Sequence, residues 1–146
     1  GELKKFINLN LPLVCVNPDK IVIRKNGDTL ICAGKLAEYY KNLGGKVIFF
    51  GKPYQHIYDE CLKKIVSIDN TISLNNILII GDSLETDILG ANMYGIKSAF
   101  VLNGIHSHEI NFSSITDTYS SKKLNLLYKK FNVNPNYSIS SFNWDK

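Results

Sequence analysis

The sequence has few of the features expected of a membrane protein, a disulfide-linked scaffold or a nucleic-acid binder. None of its apolar runs approaches the roughly 20 residues that cross a bilayer, and its three cysteines form no Cys-x-x-Cys pair. Arginine occurs once among 17 basic residues, although nucleic-acid binders favour arginine clustered in a patch. We therefore expect a cytoplasmic protein, with small buried cysteines in a reducing compartment and neither a membrane nor a nucleic-acid partner.

The composition is that of a chain with a packed core. Apolar residues make up 45% and charged residues 21% of 146 residues, which is enough for one domain or two small lobes. The only methionine is Met93. We therefore expect either that the start was removed or that the chain is the downstream part of a longer protein.

Apolar strands and amphipathic helices alternate between residues 46 and 105. Residues 47–50 and 77–80 are short apolar runs, and each is followed by a helical pattern. This alternation predicts an α/β fold with a parallel sheet flanked by helices. Residues 77–80 are apolar at every position, so we expect helices to cover both faces of that strand. Upstream, we predict a turn at Asn26-Gly27 and a helix from about Ile31 to Leu43.

An acidic motif follows the second of these apolar runs. Asp82 comes at the predicted carboxyl end of a parallel strand, where ligands gather in open α/β sheets. Asp87 follows five residues later, in the first turn of the next predicted helix. Carboxylates of this kind suit Mg²⁺. A simple alternative remains, in which Asp82 caps the helix and Asp87 complements its dipole.

A basic motif, Gly51-Lys52-Pro53, follows the first apolar run. Pro53 disfavours helical geometry at Lys52 and suits the first position of the next helix. We therefore expect the Lys52 ammonium group at the same sheet edge as Asp82, where it could neutralise a phosphate or carboxylate. The alternative is a solvated surface lysine.

In this order, the motifs resemble the haloacid-dehalogenase-like (HAD) hydrolases, specifically the subfamily IIA phosphatases with an inserted cap. The resemblance covers nearly the whole chain and includes Gly95-Ile96 and a closing Pro135-Asn136-Tyr137. Asn17-Pro18-Asp19 also matches. The most specific part is the Gly-Asp-Ser-Leu-Glu-Thr-Asp-Ile-Leu-Gly-Ala block at residues 81–91 together with the upstream Gly51-Lys52-Pro53.

The resemblance implies a Rossmann-like core, with residues 1–45 as the last part of the cap and residues 46–146 as the later part of the core. It implies a small phosphorylated metabolite as substrate and Mg²⁺ as cofactor. Lys52 would steady the nucleophile and the phosphoryl group, Asp82 would bind Mg²⁺, and Ser83 and Asp87 would support the site. Asn17 and Asp19 would face the substrate from the cap, although they could equally form a turn that only shapes it.

One departure from the family pattern is serious, because no Asp-x-Asp motif occurs anywhere in the sequence. In the family this motif supplies the nucleophile and the general acid. We therefore expect the downstream part of a phosphatase that works through an aspartyl-phosphate, inactive alone and partnered by the missing amino-terminal half. Two alternatives stay open: an inert fragment or subunit that binds a partner chain, and a receiver-like module with Asp82 as phosphoacceptor. His106 and His108, together with Glu109, are a candidate metal pair, but a His-x-His in a polar loop is usually at the surface, so we expect both there.

Overall fold

The computed structural model describes residues 1–24 and 28–144, without the side chain of Ile23, so the predicted Asn26-Gly27 turn lies outside the described residues. Contacts divide the chain into two compact units, Gly1–Ile57 and Tyr58–Lys146. The helices are α1 (Glu2–Asn8), α2 (Ala33–Asn42), α3 (Gln55–Ile68), α4 (Leu89–Tyr94) and α5 (Ser121–Phe131). The strands are β1 (Leu13–Cys15), β2 (Ile21–Ile23), β3 (Thr29–Ile31), β4 (Val47–Phe49), β5 (Leu78–Gly81), β6 (Lys97–Val101) and β7 (Tyr137–Ile139).

The first unit combines a parallel strand pair with an antiparallel hairpin. β1 pairs with β4 in parallel, with Leu13 opposite Val47, and β2 pairs with β3 in antiparallel fashion. Helix α2 packs against β1 and β4 and buries Ala37 and Tyr40. The Tyr40 hydroxyl donates to the carbonyl oxygen of Leu11 at 2.7 Å, which satisfies its buried polar end.

The helix predicted from about Ile31 begins instead at Ala33, because Ile31 is paired with Ile21 in the hairpin. Strand pairing therefore overrides the helical spacing at that residue. The opposite end of α2 is close to the prediction: the helix ends at Asn42, and Gly44 follows in the left-handed region with φ +92°. Glycine adopts this conformation without the steric cost of a Cβ.

The second unit contains a parallel sheet in the order β5-β6-β7, with Ile80 opposite Ala99 and Ala99 opposite Tyr137. The central strand β6 is the most buried, with Ser98, Ala99 and Phe100 at or near zero exposure. One cluster of buried apolar residues joins this strand to α5 and to the segment after β5. Its members are Leu84, Ile88, Phe100, Leu102, Ile110, Leu124, Leu127 and Val133.

These elements confirm the predicted α/β class with parallel sheets flanked by helices. The predicted burial of β5 on both faces is wrong, since Leu78 and Ile80 are 45% and 38% exposed. Leu78 and Ile80 lie two residues apart and therefore on the same face, so this face of β5 is only partly covered. β5 is also an edge strand, since it pairs only with β6 among the described residues. The predicted division between residues 45 and 46 stays a prediction, although β4 pairs within the first unit. Within the described residues no helix has the length and apolar character needed to span a membrane.

Candidate active site

In the first unit, two of the predicted motifs lie in neighbouring loops. Asn17-Pro18-Asp19 follows β1, and Gly51-Lys52-Pro53 follows β4. Because β1 and β4 are parallel, both loops leave the carboxyl end of the pair, and the N–H of Phe50 donates to the carbonyl oxygen of Cys15 at 2.8 Å. A Cβ on Gly51 would lie 3.0 Å from Pro18 Cδ. The two motifs therefore contact each other directly.

The turn around Lys52 differs from the predicted helix start. The N–H of Tyr54 donates to the carbonyl oxygen of Gly51 at 2.9 Å, and α3 begins at Gln55. Placing Pro53 at the first helical position was therefore wrong, because the closed turn separates it from the helix. Lys52 is exposed in this turn. Since Lys52 belongs to the first unit and Asp82 to the second, their predicted convergence stays a prediction.

The Asn17-Pro18-Asp19 segment forms a turn held by its own polar groups. Asn17 Oδ1 accepts from the N–H of Asp19 at 3.4 Å, and the carbonyl of Asp19 accepts from the N–H of Gly34 at 3.0 Å. A Cβ on Gly34 would overlap the carbonyl oxygen of Pro18. This geometry favours the shaping turn for Asn17, whereas the exposed Asp19 keeps its carboxylate in solvent.

In the second unit, β5 delivers Asp82 to the carboxyl end of the sheet. Asp82 Oδ2 accepts from the N–H of Ile105 at 3.1 Å. Gly104 permits this approach, because a Cβ there would overlap the Asp82 side chain. The segment after β6 therefore fixes the carboxylate from the side, without closing it off from solvent.

Asp87 has a different environment from Asp82, although one motif carries both. Asp87 is 5% exposed, and its Oδ2 accepts from the N–H of Ser83 at 3.1 Å. Its carboxyl group packs over Gly81, where a Cβ would overlap it. Such contacts are what the supporting roles of Asp87 and Ser83 require, and the roles themselves stay predictions.

The segment after Asp82 is not the single α-helix that the sequence pattern predicts. Leu84–Ile88 forms a π-helical turn, α4 (Leu89–Tyr94) follows it directly, and Gly95, with φ +70°, terminates the helix. The N–H groups of Asp87 and Ile88 both donate to the carbonyl of Ser83. Wide turns of this type occur often at functional sites. Residue spacing cannot reveal one, because a π turn adds a single residue to an otherwise helical pattern.

Sequence reasoning also missed His106, which it placed at the surface together with His108. His108 is exposed, but His106 is only 7% exposed and lies against the rings of Phe100 and Phe131. Its Nδ1 lies 2.6 Å from Glu109 Oε1, and its Nε2 lies 3.5 Å from the backbone nitrogen of Leu84. The three-residue spacing of His106 and Glu109 was the only signal in the sequence.

Tyr58 is buried near the acidic motif. Its hydroxyl has no hydrogen-bond partner among the described residues, and a Cβ on Gly90 would overlap it. Burial, together with the nearby charges of Asp87 and Cys61, raises the pKa of Tyr58 to about 12. The phenol therefore stays protonated at neutral pH.

The described residues fit a divalent cation only in part. Asp82 offers a carboxylate whose Oδ2 is held by Ile105, and Mg²⁺ commonly takes one or two carboxylates together with water and phosphate oxygens. Among residues 1–24 and 28–144, no group of three or more His, Cys, Asp or Glu side chains could hold a metal ion. Further oxygen ligands would have to come from water, substrate or another segment.

Comparison with known proteins identifies the class to which this arrangement belongs. The HAD-hydrolase-like family matches residues 49–125, which is more than half of the chain and includes Lys52, Asp82 and Asp87. The chain belongs to this family.

Individual relatives agree with that assignment. A haloacid dehalogenase-like hydrolase from Brucella suis has a TM-score of 0.73 and 29% identity, over 97% of this chain and 48% of its own. A possible sugar phosphatase from Cytophaga hutchinsonii has a TM-score of 0.72 and 27% identity, over 95% of this chain and 46% of its own. Sugar-phosphatase AraL of Bacillus subtilis is 28% identical over 93 residues, 63% of this chain and 32% of AraL. The chain thus spans less than half the length of each relative.

Proposed function

We propose that this chain forms part of a Mg²⁺-dependent phosphatase of HAD subfamily IIA that hydrolyses a small phosphate ester. The observation that supports this most is the placement of Asp82 at the carboxyl end of β5, with Oδ2 held by the N–H of Ile105. A carboxylate fixed at this edge, inside the family-matched region, is suited to a cation that accompanies a phosphate.

In this proposal the reaction proceeds through an aspartyl-phosphate. A carboxylate of an Asp-x-Asp motif attacks phosphorus, and the ester oxygen leaves with a proton from the second Asp; water then hydrolyses the acyl phosphate. Lys52 would neutralise charge on the phosphoryl group and the nucleophile. Asp82 would hold Mg²⁺, which stabilises negative charge on the transferring phosphoryl group.

The nucleophile has to come from outside the given sequence, which contains no Asp-x-Asp motif. Strand β5 is the place where such a segment would dock. Leu78 and Ile80 are exposed there, and among the described residues this edge of the sheet has no partner strand. An uncovered edge with apolar side chains favours pairing with another strand.

An activity assay tests the proposal. We expect the chain alone to show no turnover of an aryl phosphate, with or without Mg²⁺, because the covalent step lacks its nucleophile. Adding a separately produced polypeptide that carries the Asp-x-Asp strand should produce turnover, and Lys52→Ala in this chain should abolish it. Lys63→Ala, which changes an exposed lysine on α3, is the matched control.

The second candidate function is that of a non-catalytic chain that binds a partner, and the same exposed edge of β5 favours it. Binding of the added polypeptide without turnover would support this second function. Turnover by the chain alone that disappears in Asp82→Ala would show that the nucleophile is present after all.

A further inference from the structure

Two hydrogen bonds join the segment after β6 to residues 82–84, the Asp82 loop, and each pairs a backbone N–H with a side chain. The N–H of Ile105 donates to Asp82 Oδ2 at 3.1 Å, and the N–H of Leu84 donates to His106 Nε2 at 3.5 Å. Gly104 permits the close approach. Consecutive residues of one loop thus contact residues on both sides of Ser83.

The hydrogen bonds of His106 determine where its proton lies. Nε2 lies 3.5 Å from the backbone nitrogen of Leu84 and accepts its N–H only in the tautomer that leaves Nε2 unprotonated. The ring proton is then on Nδ1 and points to Glu109 Oε1, 2.6 Å away. Glu109 Oε2 lies 3.8 Å from Lys130 Nζ, which ties this carboxylate to α5. Glu109 therefore orients the ring so that its acceptor faces Leu84.

The imidazole ring itself has little room to move. It is 7% exposed and lies between Phe100 of β6 and Phe131 of α5, with ring centroids 6.0 and 5.4 Å away. The N–H that it receives belongs to the first residue of the π-helical turn, a position where helices leave backbone donors without an internal acceptor. A buried donor left unpaired there would destabilise the loop.

We propose that His106 is a positioning residue for the Asp82 loop, residues 82–84, which carries the proposed metal ligand Asp82. By accepting the N–H of Leu84, it holds the backbone from Asp82 to Leu84 in the conformation that presents the Asp82 carboxylate at the sheet edge. The inference rests on the proposed function for the identity of the ligand, Mg²⁺, but not for the contact with Leu84. Residues that orient a metal ligand without binding the metal themselves typically change the affinity of the site for the metal.

Amide hydrogen exchange of the full chain tests the contact. In His106→Phe, which keeps an aromatic ring but removes the acceptor, the amide of Leu84 should exchange about fivefold faster. His106→Gln restores an acceptor at similar reach and should return the rate close to the starting value. His108→Gln is the matched control in the same loop and should change nothing. Equal Leu84 rates in the parent and His106→Phe would overturn the proposal, as would failure of His106→Gln to restore protection.

Mg²⁺ titration, followed by the amide shifts of Asp82 and Ser83, tests the consequence. His106→Phe should weaken Mg²⁺ binding roughly tenfold, whereas His106→Gln should weaken it less. If the parent chain binds no Mg²⁺, the proposed function loses its support while the exchange result still decides the role of His106. If His106→Phe fails to fold, the nitrogen NMR chemical shifts of the His106 ring in the parent chain decide the question. A proton on Nδ1 alone supports the proposal, and a proton on Nε2 overturns it.

Discussion

Each unit places motif residues in loops that leave the carboxyl ends of parallel strands, but the loops are held in different ways. In the first unit, the Asn17-Pro18-Asp19 turn and the turn at Gly51 hold each other through close packing at Pro18. In the second, backbone N–H groups bind the carboxylates, with Ile105 on Asp82 and Ser83 on Asp87. Hydrogen bonds and close packing shape the loops of both units, but in the second unit the hydrogen bonds also hold the carboxylates of Asp82 and Asp87 in place.

The cores behind these loops differ as well. Among the described residues of the first unit, Cys15, Ala37 and Tyr40 are the buried apolar ones, whereas a cluster of eight buried apolar residues lies beneath the loop after β5 in the second unit. The Asp82 carboxylate keeps a fixed orientation only if the backbone that carries it is rigid. The larger core of the second unit provides that rigidity. We therefore expect the second unit to be more sensitive to loss of core volume, and the first to be more sensitive to changes at its tightly packed glycines.

The largest expected effect is that of Phe100→Ala in the second unit. Phe100 is fully buried and contacts the rings of His106 and Tyr128, so its truncation should cost about 3–5 kcal/mol. Ile31→Ala in the first unit removes an exposed side chain and should cost less than about 0.5 kcal/mol. Denaturant unfolding measures the loss of stability in each variant, and residue-resolved hydrogen exchange shows in which unit that loss occurs. Ile31 thus serves as the exposed control, and a similar loss in both variants would contradict the contribution expected of the buried Phe100 to the second core.

Gly34→Ala should be the most damaging small change in the first unit. The added methyl would overlap the carbonyl oxygen of Pro18, which is backbone and cannot rotate away, so we expect a loss of about 1–3 kcal/mol or more. Gly95→Ala meets no neighbouring atom and bears only the cost of positive φ, about 1–2 kcal/mol. Hydrogen exchange of the backbone amides in the first unit should become faster in Gly34→Ala but not in Gly95→Ala. Unchanged exchange rates in Gly34→Ala would contradict the packing argument.

Gly90→Ala tests close packing in the second unit. Its methyl would overlap the Tyr58 hydroxyl and would also lie 2.6 Å from Cζ of the ring, so Tyr58→Phe, which removes only the hydroxyl, should relieve part of the loss of about 1–3 kcal/mol. Tyr58→Phe alone should be nearly neutral, because this hydroxyl has no hydrogen-bond partner among the described residues. A double variant no more stable than Gly90→Ala would show that the hydroxyl contributes nothing to the clash.

The last expected effect does not show at neutral pH and is a dependence of stability on alkaline pH. Burial raises the pKa of Tyr58 to about 12, whereas the unfolded chain has the ordinary value of about 10. The folded state therefore holds the proton more tightly, so this contribution is complete below pH 10 and is lost as pH rises towards 12. Comparing the free energy of unfolding of the parent and of Tyr58→Phe between pH 10 and 12 isolates the contribution of Tyr58. If the two free energies change with pH in the same way, Tyr58 makes no such contribution.

Much of the fold followed from local patterns. The strands near residues 47–50 and 77–80, the helix after Lys52 and the end of α2 near Gly44 were all predicted, because apolar spacing and glycine report on short stretches of chain. The hairpin strand β3 and the exposed face of β5 were not. Pairing between strands and the cover over a sheet depend on residues distant in sequence, which spacing alone does not show.

For the candidate site, the sequence by itself determined which residues to propose for the chemistry, because Lys52, Asp82 and Asp87 stand in motifs that follow apolar strands. Only the tertiary structure decided their surroundings. It buried Asp87 while leaving Asp82 at an open edge, and it placed Pro18 against Gly51. It also brought His106 to the N–H of Leu84, 22 positions earlier in the chain. Such contacts arise from packing between distant segments, and no local pattern encodes which distant segments will meet.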